Sequence, residues 1–409
     1  MAKNKDSVLV KFVLFIPILS AIAENTTGFF PGGTLNPGTI RGFIAAVFLF
    51  FFVFKHYPAN RTSLWLLVFV VYYTILSFFS TNLTESLYGL FKFAIATLMY
   101  PVGYYFINNY KRFYSLTVSF AIGLGIFLLS ILIANIFKLG TSDYLEDSLY
   151  FGAGRVNITK SALILLFASV NIIPVIKRRY KYLFFSFMGA AAFFTVVGIK
   201  RSVLLSFIAG IIIFLFFNRL KRGATQLVVI SIFAMLFLLV LFPRGYELFS
   251  ERFDARSDRI ELTEESLDKE TRVDETQLVI NTWIDGSIKH KLFGSELFND
   301  RYFFNVDRML HTDYMVILNG SGLVGISLWF FVLFLIFIDG RFYWKYNKTD
   351  ARFSLLMVSF YSIICAQLLM SISGTIQGVG LRSFILLYLG AIVGTLKGEA
   401  ALKFQRKEV

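Results

Sequence analysis

Charge is scarce in this sequence, and so are the residues of most metal and redox sites. Only 16% of its 409 residues are Asp, Glu, Lys or Arg, against about 25% in a soluble globular chain. That excludes an ordinary solvated domain of this length. There is one cysteine, Cys365, so no intramolecular disulfide forms. Three histidines occur: His56, His290 and His311. No P-loop, H-E-x-x-H or C-x-x-C pattern is present, and no internal repeat. The period-2 alternation of a transmembrane β-barrel is also missing.

What the chain has in quantity is apolar length. It is 56% hydrophobic, with 49 Phe and a mean hydropathy of +0.68. Runs of about 18 or more apolar residues read as membrane-crossing helices. Inside lipid such a segment must satisfy its own backbone hydrogen bonds, which a helix does. Twelve spans are expected, at 8–24, 40–55, 63–80, 87–108, 114–137, 159–176, 182–199, 202–218, 225–243, 316–338, 354–377 and 381–397. The fold class is therefore an all-α polytopic membrane protein with about twelve transmembrane helices. Residues 1–243 form spans one to nine, 244–315 a large outer loop, and 316–409 the last three spans and a tail. Beyond residue 24 no A-x-A-like cleavage site follows the first apolar run, so that run is expected to stay as a span.

A net charge of +14 could suggest a nucleic-acid partner, but the basic residues sit in short clusters beside apolar runs. With the N-terminus inside, every inner connection is basic, for example Lys177, Arg178, Arg179 and Lys181, or Arg219, Lys221 and Arg222. The positive-inside rule then puts both termini in the cytoplasm. Nucleic acid is not expected as a partner. The outer loop 244–315 carries 16 acidic and 10 basic residues, a net of −6.

Within that loop, Val273, Val279, Ile280, Trp283, Ile284 and Ile288 fall on one helical arc, and Arg272 lies level with them. Such an arginine either snorkels at the interface or points into a site between loop and membrane. The loop closes with RMLHTDYMVILNGSGLVGISLWFFVLF. Thr312 or Asp313 is expected to cap the helix that follows, which puts His311 at its mouth. Gly320, Gly322 and Gly325 are expected to let two helices approach closely.

Four of the outward-facing arginines stand out: Arg155, Arg201, Arg272 and Arg382. Lys200 stands beside Arg201. Snorkelling or pairing with loop acids explains any one of them. Together they suit an anionic ligand, because arginine offers a rigid fork of donors that matches phosphate oxygens. At this depth the natural ligand is a lipid with a diphosphate headgroup.

The layout resembles the O-antigen polymerase and O-antigen ligase family of membrane glycosyltransferases. HTDYMVILNGSGLVGISLWFFVLF is similar to that family's histidine–polar–acidic start of a span, with Thr312 where Asn is common. KRSVLLSFIAG is similar to its polar–arginine start of a span, with Lys200 in place of a small hydroxyl residue. TRVDETQLVINTWIDGSIKHKLFGSELF resembles the arginine-led helix of its periplasmic loop, and RVNITKSALILL an arginine that leads into a middle span. Arg382 matches only loosely.

The resemblance implies glycosyl transfer from an undecaprenyl-diphosphate-linked oligosaccharide at the outer face of the bacterial inner membrane. A polymerase moves the chain onto the next lipid-linked repeat unit; a ligase moves it onto lipid A core. The Phe-, Ile- and Lys-rich composition favours polymerase. Expected catalytic residues are His311, Arg201 and Arg272, with Arg155, Lys200 and Arg382 as substrate-binding residues. Fixed cations would stabilise the departing diphosphate, and His311 would take the acceptor proton. No cofactor and no metal is implied, since the 25–39 loop has no Asp or Glu. Expected partners are the lipid-linked glycan, membrane lipid and a chain-length regulator protein. A lipid-linked oligosaccharide flippase is the alternative that twelve spans also fit.

Overall fold

The computed structural model describes residues 7–27, 36–58, 60–139, 158–197, 201–217, 271–304, 310, 312–348, 350–375 and 378–405. Every regular element among them is a helix. The first eight are α1 (Val8–Thr26), α2 (Pro37–His56), α3 (Arg61–Ser77), α4 (Leu83–Phe106), α5 (Tyr110–Phe137), α6 (Ile158–Ser169), α7 (Arg178–Val197) and α8 (Arg201–Phe217). Three short helices follow: α9 (Thr271–Asp285), α10 (Ile288–Phe293) and α11 (Asp300–Phe303). The chain returns to the bundle with α12 (Asp313–Lys345), α13 (Ala351–Ser371) and α14 (Val379–Gln405). Eleven of the expected spans fall on helices, and the ninth, 225–243, lies outside the described residues. By length and composition α1, α2, α5, α12, α13 and α14 can cross a membrane, while α3, α6 and α8 are apolar but shorter.

Helix starts are set locally. Asn36, Asn82 and Asn109 accept the N–H of Thr39, Glu85 and Arg112, and Asp350 accepts that of Arg352. Each satisfies a donor that the first helical turn leaves open. Pro37 follows Asn36 where a missing N–H costs nothing.

The closest packing joins α4 to α14. A Cβ on Gly390 would lie 2.0 Å from the Tyr100 carbonyl oxygen, and one on Gly394 2.4 Å from that of Tyr104. Gly398 meets Asn108 in the same way, and Gly103 meets Leu387 from the other side. Glycines four apart on one helix let two backbones touch, which is how apolar helices gain contact where the hydrophobic effect is weak. α14 is buried through most of its length as a result.

The end of α6 also lies inside the protein. Ser359 donates to the Phe167 carbonyl at 2.7 Å and Tyr388 to that of Ala168 at 2.9 Å. Asn171 joins them by donating to both hydroxyls. These bonds take up carbonyls that a short helix would otherwise strand away from water. At the opposite extreme, α2 buries only Leu49 and Phe52 and leaves Phe43, Phe50, Phe51 and Phe54 outward. An apolar surface of that extent suits lipid.

Two expectations change. Gly320, Gly322 and Gly325 do not form a seam between two long helices: Gly322 seats the end of the short α10, and Gly320 the connection after it. α12 breaks at Gly322 (φ 62°), and the connection after α10 lies in the break. A Cβ on Gly322 would sit 2.4 Å from the Leu292 carbonyl carbon, and one on Gly320 3.0 Å from Leu297 Cα. Gly325 faces Ser321 of its own helix. The apolar arc of the outer loop is also interrupted. α9 ends at Asp285, Ser287 caps a new helix, and Ile288 therefore falls on a different axis. Val279 is buried, while Ile280 and Ile284 are exposed.

Candidate functional site

Five helices converge on the short stretch Ser371–Thr375 that links α13 to α14. From α6, the buried Lys160 donates through Nζ to the carbonyls of Ser373 (2.9 Å) and Gly374 (2.6 Å). These carbonyls follow the C-terminal turn of α13, where the helix leaves negative partial charge. From α8, the Ser202 hydroxyl meets that of Ser373 at 2.5 Å. From α12, Asp313 accepts the Thr375 N–H at 2.6 Å through Oδ1 and the Thr375 hydroxyl through Oδ2. Thr312 donates to the Ile372 carbonyl at 3.2 Å. Gln367 of α13 closes the group by donating to Ser371 at 3.0 Å.

The first turn of α14 adds Arg382, which is 1% exposed. Its guanidinium carbon lies 4.8 Å from the ring centres of both Phe93 and Trp329. Aromatic faces offset the charge of a desolvated cation. Asp313 and Tyr73 also act on it electrostatically. Tyr73 in turn meets the Ser321 hydroxyl at 3.0 Å, and Tyr72 donates to the Ser321 carbonyl at 2.9 Å, so the helix break is tied to this aromatic group. Lys160, Asp313 and Arg382 thus form a buried row, with Arg201 exposed on the first turn of α8 beside Ser202.

Next to this row, residues 294–300 clamp the loop onto the bundle. Glu296 accepts from the Ser80 hydroxyl (2.6 Å), the Thr81 N–H (3.0 Å) and Asn299 (3.1 Å). Burial alone would raise its carboxyl, but these donors outweigh it and hold the group below the ordinary range. Asp300 is different. Asn319 donates to its Oδ1 at 2.9 Å, while Oδ2 is buried with no hydrogen-bond partner among the described residues. Burial pushes this carboxyl up to about 7, with the Asn319 bond opposing the shift and the nearby Glu296 charge adding to it.

Of the residues singled out from sequence, Arg155, Lys200 and His311 lie outside the described residues. Arg272 is the second residue of α9, and only its backbone is described. α9 packs against α12, so that helix lies beside the same end of the bundle. Arg201 precedes Ser202, which meets Ser373, and Arg382 lies close enough to Asp313 to feel its charge. The expected cap does not form as drawn. Thr312 holds the N-cap position without a side-chain cap bond, and Asp313 spends both oxygens on Thr375. Sequence reasoning passed over Lys160 and the SISGT stretch. Their signals were a lysine just inside an apolar run and a small polar run between two spans.

No family model matches the chain, and no curated protein matches it either.

Proposed function

We propose that this protein is a membrane glycosyltransferase of the O-antigen polymerase type. It moves a glycan from undecaprenyl diphosphate onto the next lipid-linked repeat unit. In this reading the chain crosses the bacterial inner membrane twelve times with both termini in the cytoplasm, and the Ser371–Thr375 end faces the periplasm. One observation carries it. Lys160, Asp313 and Arg382 form a buried row at one end of an apolar bundle, Arg201 opens the helix whose Ser202 reaches the same stretch, and His311 stands two residues before Asp313 in the sequence.

The chemistry follows from those placements. The acceptor sugar hydroxyl attacks the anomeric carbon with inversion, and His311 takes its proton. The bond between that carbon and the diphosphate oxygen breaks, and the electron pair leaves with the diphosphate. Arg201 and Arg272 stabilise the charge gathered there, with Arg155 and Lys200 binding the same group. Arg382, caged by Phe93 and Trp329, acts by positioning Asp313 and the start of α12. No step is routed through a metal or cofactor. A ligase acting on lipid A core uses the same groups with another acceptor.

A flippase is the second reading. Asp339, half-buried and accepting from Thr62 at 2.5 Å, places an acidic group within the bundle and favours it. The glycine seam between α4 and α14 opposes the rocking that transport needs.

Reconstituted protein with a labelled lipid-linked repeat unit separates the readings. Longer glycans on the lipid support the polymerase, and transfer onto added lipid A core supports the ligase. Label that crosses the bilayer without elongation refutes enzyme activity.

A further inference from the structure

A cavity of about 220 Å³ lies between α1, α2, α4 and α14. Phe12, Ile16, Ala45, Phe48 and Met99 make its walls apolar. It is smaller than the ~300–1,000 Å³ of a small-molecule pocket, so it takes a slender chain rather than a compact ligand. One wall is α2, the helix whose outer face is almost wholly apolar and exposed.

Arg41 also lines the cavity, and its Nη1 donates to Glu24 Oε1 at 2.6 Å. The pair rests on Gly380, where a Cβ would lie 2.3 Å from Glu24 Oε1 and 3.0 Å from Arg41 Nη1. Both side chains keep some exposure, 17% for Arg41 and 32% for Glu24. Arg41 Nε is buried with no hydrogen-bond partner among the described residues. That donor is shut off from any ligand, so a headgroup contact falls on the exposed part of the guanidinium beside Glu24.

We infer that this cavity holds an acyl chain of a zwitterionic phospholipid with a primary-amine headgroup. The lipid phosphate meets the exposed part of the Arg41 guanidinium, and the headgroup ammonium meets Glu24. A cation and an anion side by side sum to zero, and they complement a headgroup that carries one charge of each sign. A headgroup with only negative charge would gain Arg41 but face Glu24. Hydrogen bonds between ionised groups are the stronger ones, so the headgroup contributes selectivity as well as orientation.

Native mass spectrometry of the full chain in detergent tests this directly. The protein is incubated with equal amounts of phosphatidylethanolamine and phosphatidylglycerol that share acyl chains. The ethanolamine lipid is expected to dominate the bound fraction by about tenfold. Glu24→Gln should turn the preference toward phosphatidylglycerol, because the carboxylate that repels its phosphate is gone. Ala45→Trp fills the cavity and should lower retention of both lipids while the circular dichroism spectrum holds. Equal retention of the two lipids by the wild type, an unmoved preference in Glu24→Gln, or undiminished binding in Ala45→Trp overturns the assignment. Because no turnover is measured, failure here leaves the glycosyl-transfer reading untouched.

Discussion

Thr375 donates its backbone N–H to Asp313 Oδ1 at 2.6 Å across 62 residues of sequence. The Thr375 hydroxyl binds the other oxygen, so one carboxylate pins the α13–α14 connection to the start of α12. Arg382 lies close enough to feel the same charge. Removing one charge of a buried group costs more than its pairing ever contributes, because the remaining charge stays desolvated.

Asp313→Ala is therefore expected to destabilise the protein by about 3–5 kcal/mol. Asp313→Asn keeps one acceptor for Thr375 and should cost less. Thermal melts in detergent, followed by tryptophan fluorescence, rank the two variants. Equal melting temperatures for Asp313→Ala and the wild type would show that the clamp carries no stability.

A second expectation concerns pH. Burial raises the folded value of Asp300 to about 7. Between its ordinary value and about 7 the folded state holds a proton that the unfolded chain has released. Stability therefore falls as pH rises through that window and levels off above it. Glu296 acts in the opposite sense: its folded value is lowered, so its contribution is present above the ordinary carboxylate range and is lost on acidification. Asp300→Asn keeps the acceptor for Asn319 and removes the charge. It should raise the melting temperature clearly near about pH 8 and little near about pH 5. The same shift at both would mean that Asp300 does not titrate between them.

The α4–α14 seam makes a sharper demand. A side chain at Gly394 meets the carbonyl oxygens of Tyr104 and Ile107, which are backbone atoms and cannot swing away. Gly394→Leu should cost more than the roughly 1–3 kcal/mol of ordinary overpacking and leave little monodisperse protein on size exclusion. Gly42→Leu, whose added carbon would meet only Phe91 at 3.8 Å, should elute like the wild type. The comparison removes side-chain size as an explanation.

Arg201 is exposed at the start of its helix, where a surface contact is worth about 0–1 kcal/mol, so Arg201→Ala should shift the melting temperature little. Elongation by the reconstituted protein should fall by about 10²–10³-fold, the scale for losing one donor to a developing charge. Arg201→Lys should restore only part of the rate, since an ammonium lacks the planar fork. A normal rate in Arg201→Ala removes this residue from the mechanism.

The glycine positions show where the sequence could be read and where it misled. Gly390, Gly394 and Gly398 recur every four residues in an apolar run, which is the pattern of a close helix contact, and the structure puts that contact on α4. The more conspicuous Gly320, Gly322 and Gly325 looked like the same device. They instead break α12 and seat the connection after α10. Spacing alone could not separate the two cases, because the partner of the first is a long helix and that of the second the end of a short helix and the loop after it.

The site divides in the same way. Arg382 was legible as a charge near the end of an apolar run, but not as a buried one, because its cage comes from Phe93 and Trp329 on two other helices. Asp313 looked like a helix cap, since caps are local and its true partner is remote. Lys160 was passed over because the carbonyls that neutralise it belong to another helix.

Where the helices lie, and that lipid rather than water suits their surface, the chain settles within each segment, because backbone hydrogen bonding and apolar length are properties of neighbouring residues. Which polar groups meet at the ends of those helices is decided only when the bundle closes. Those meetings depend on close approach between residues hundreds of positions apart, and no local pattern encodes it.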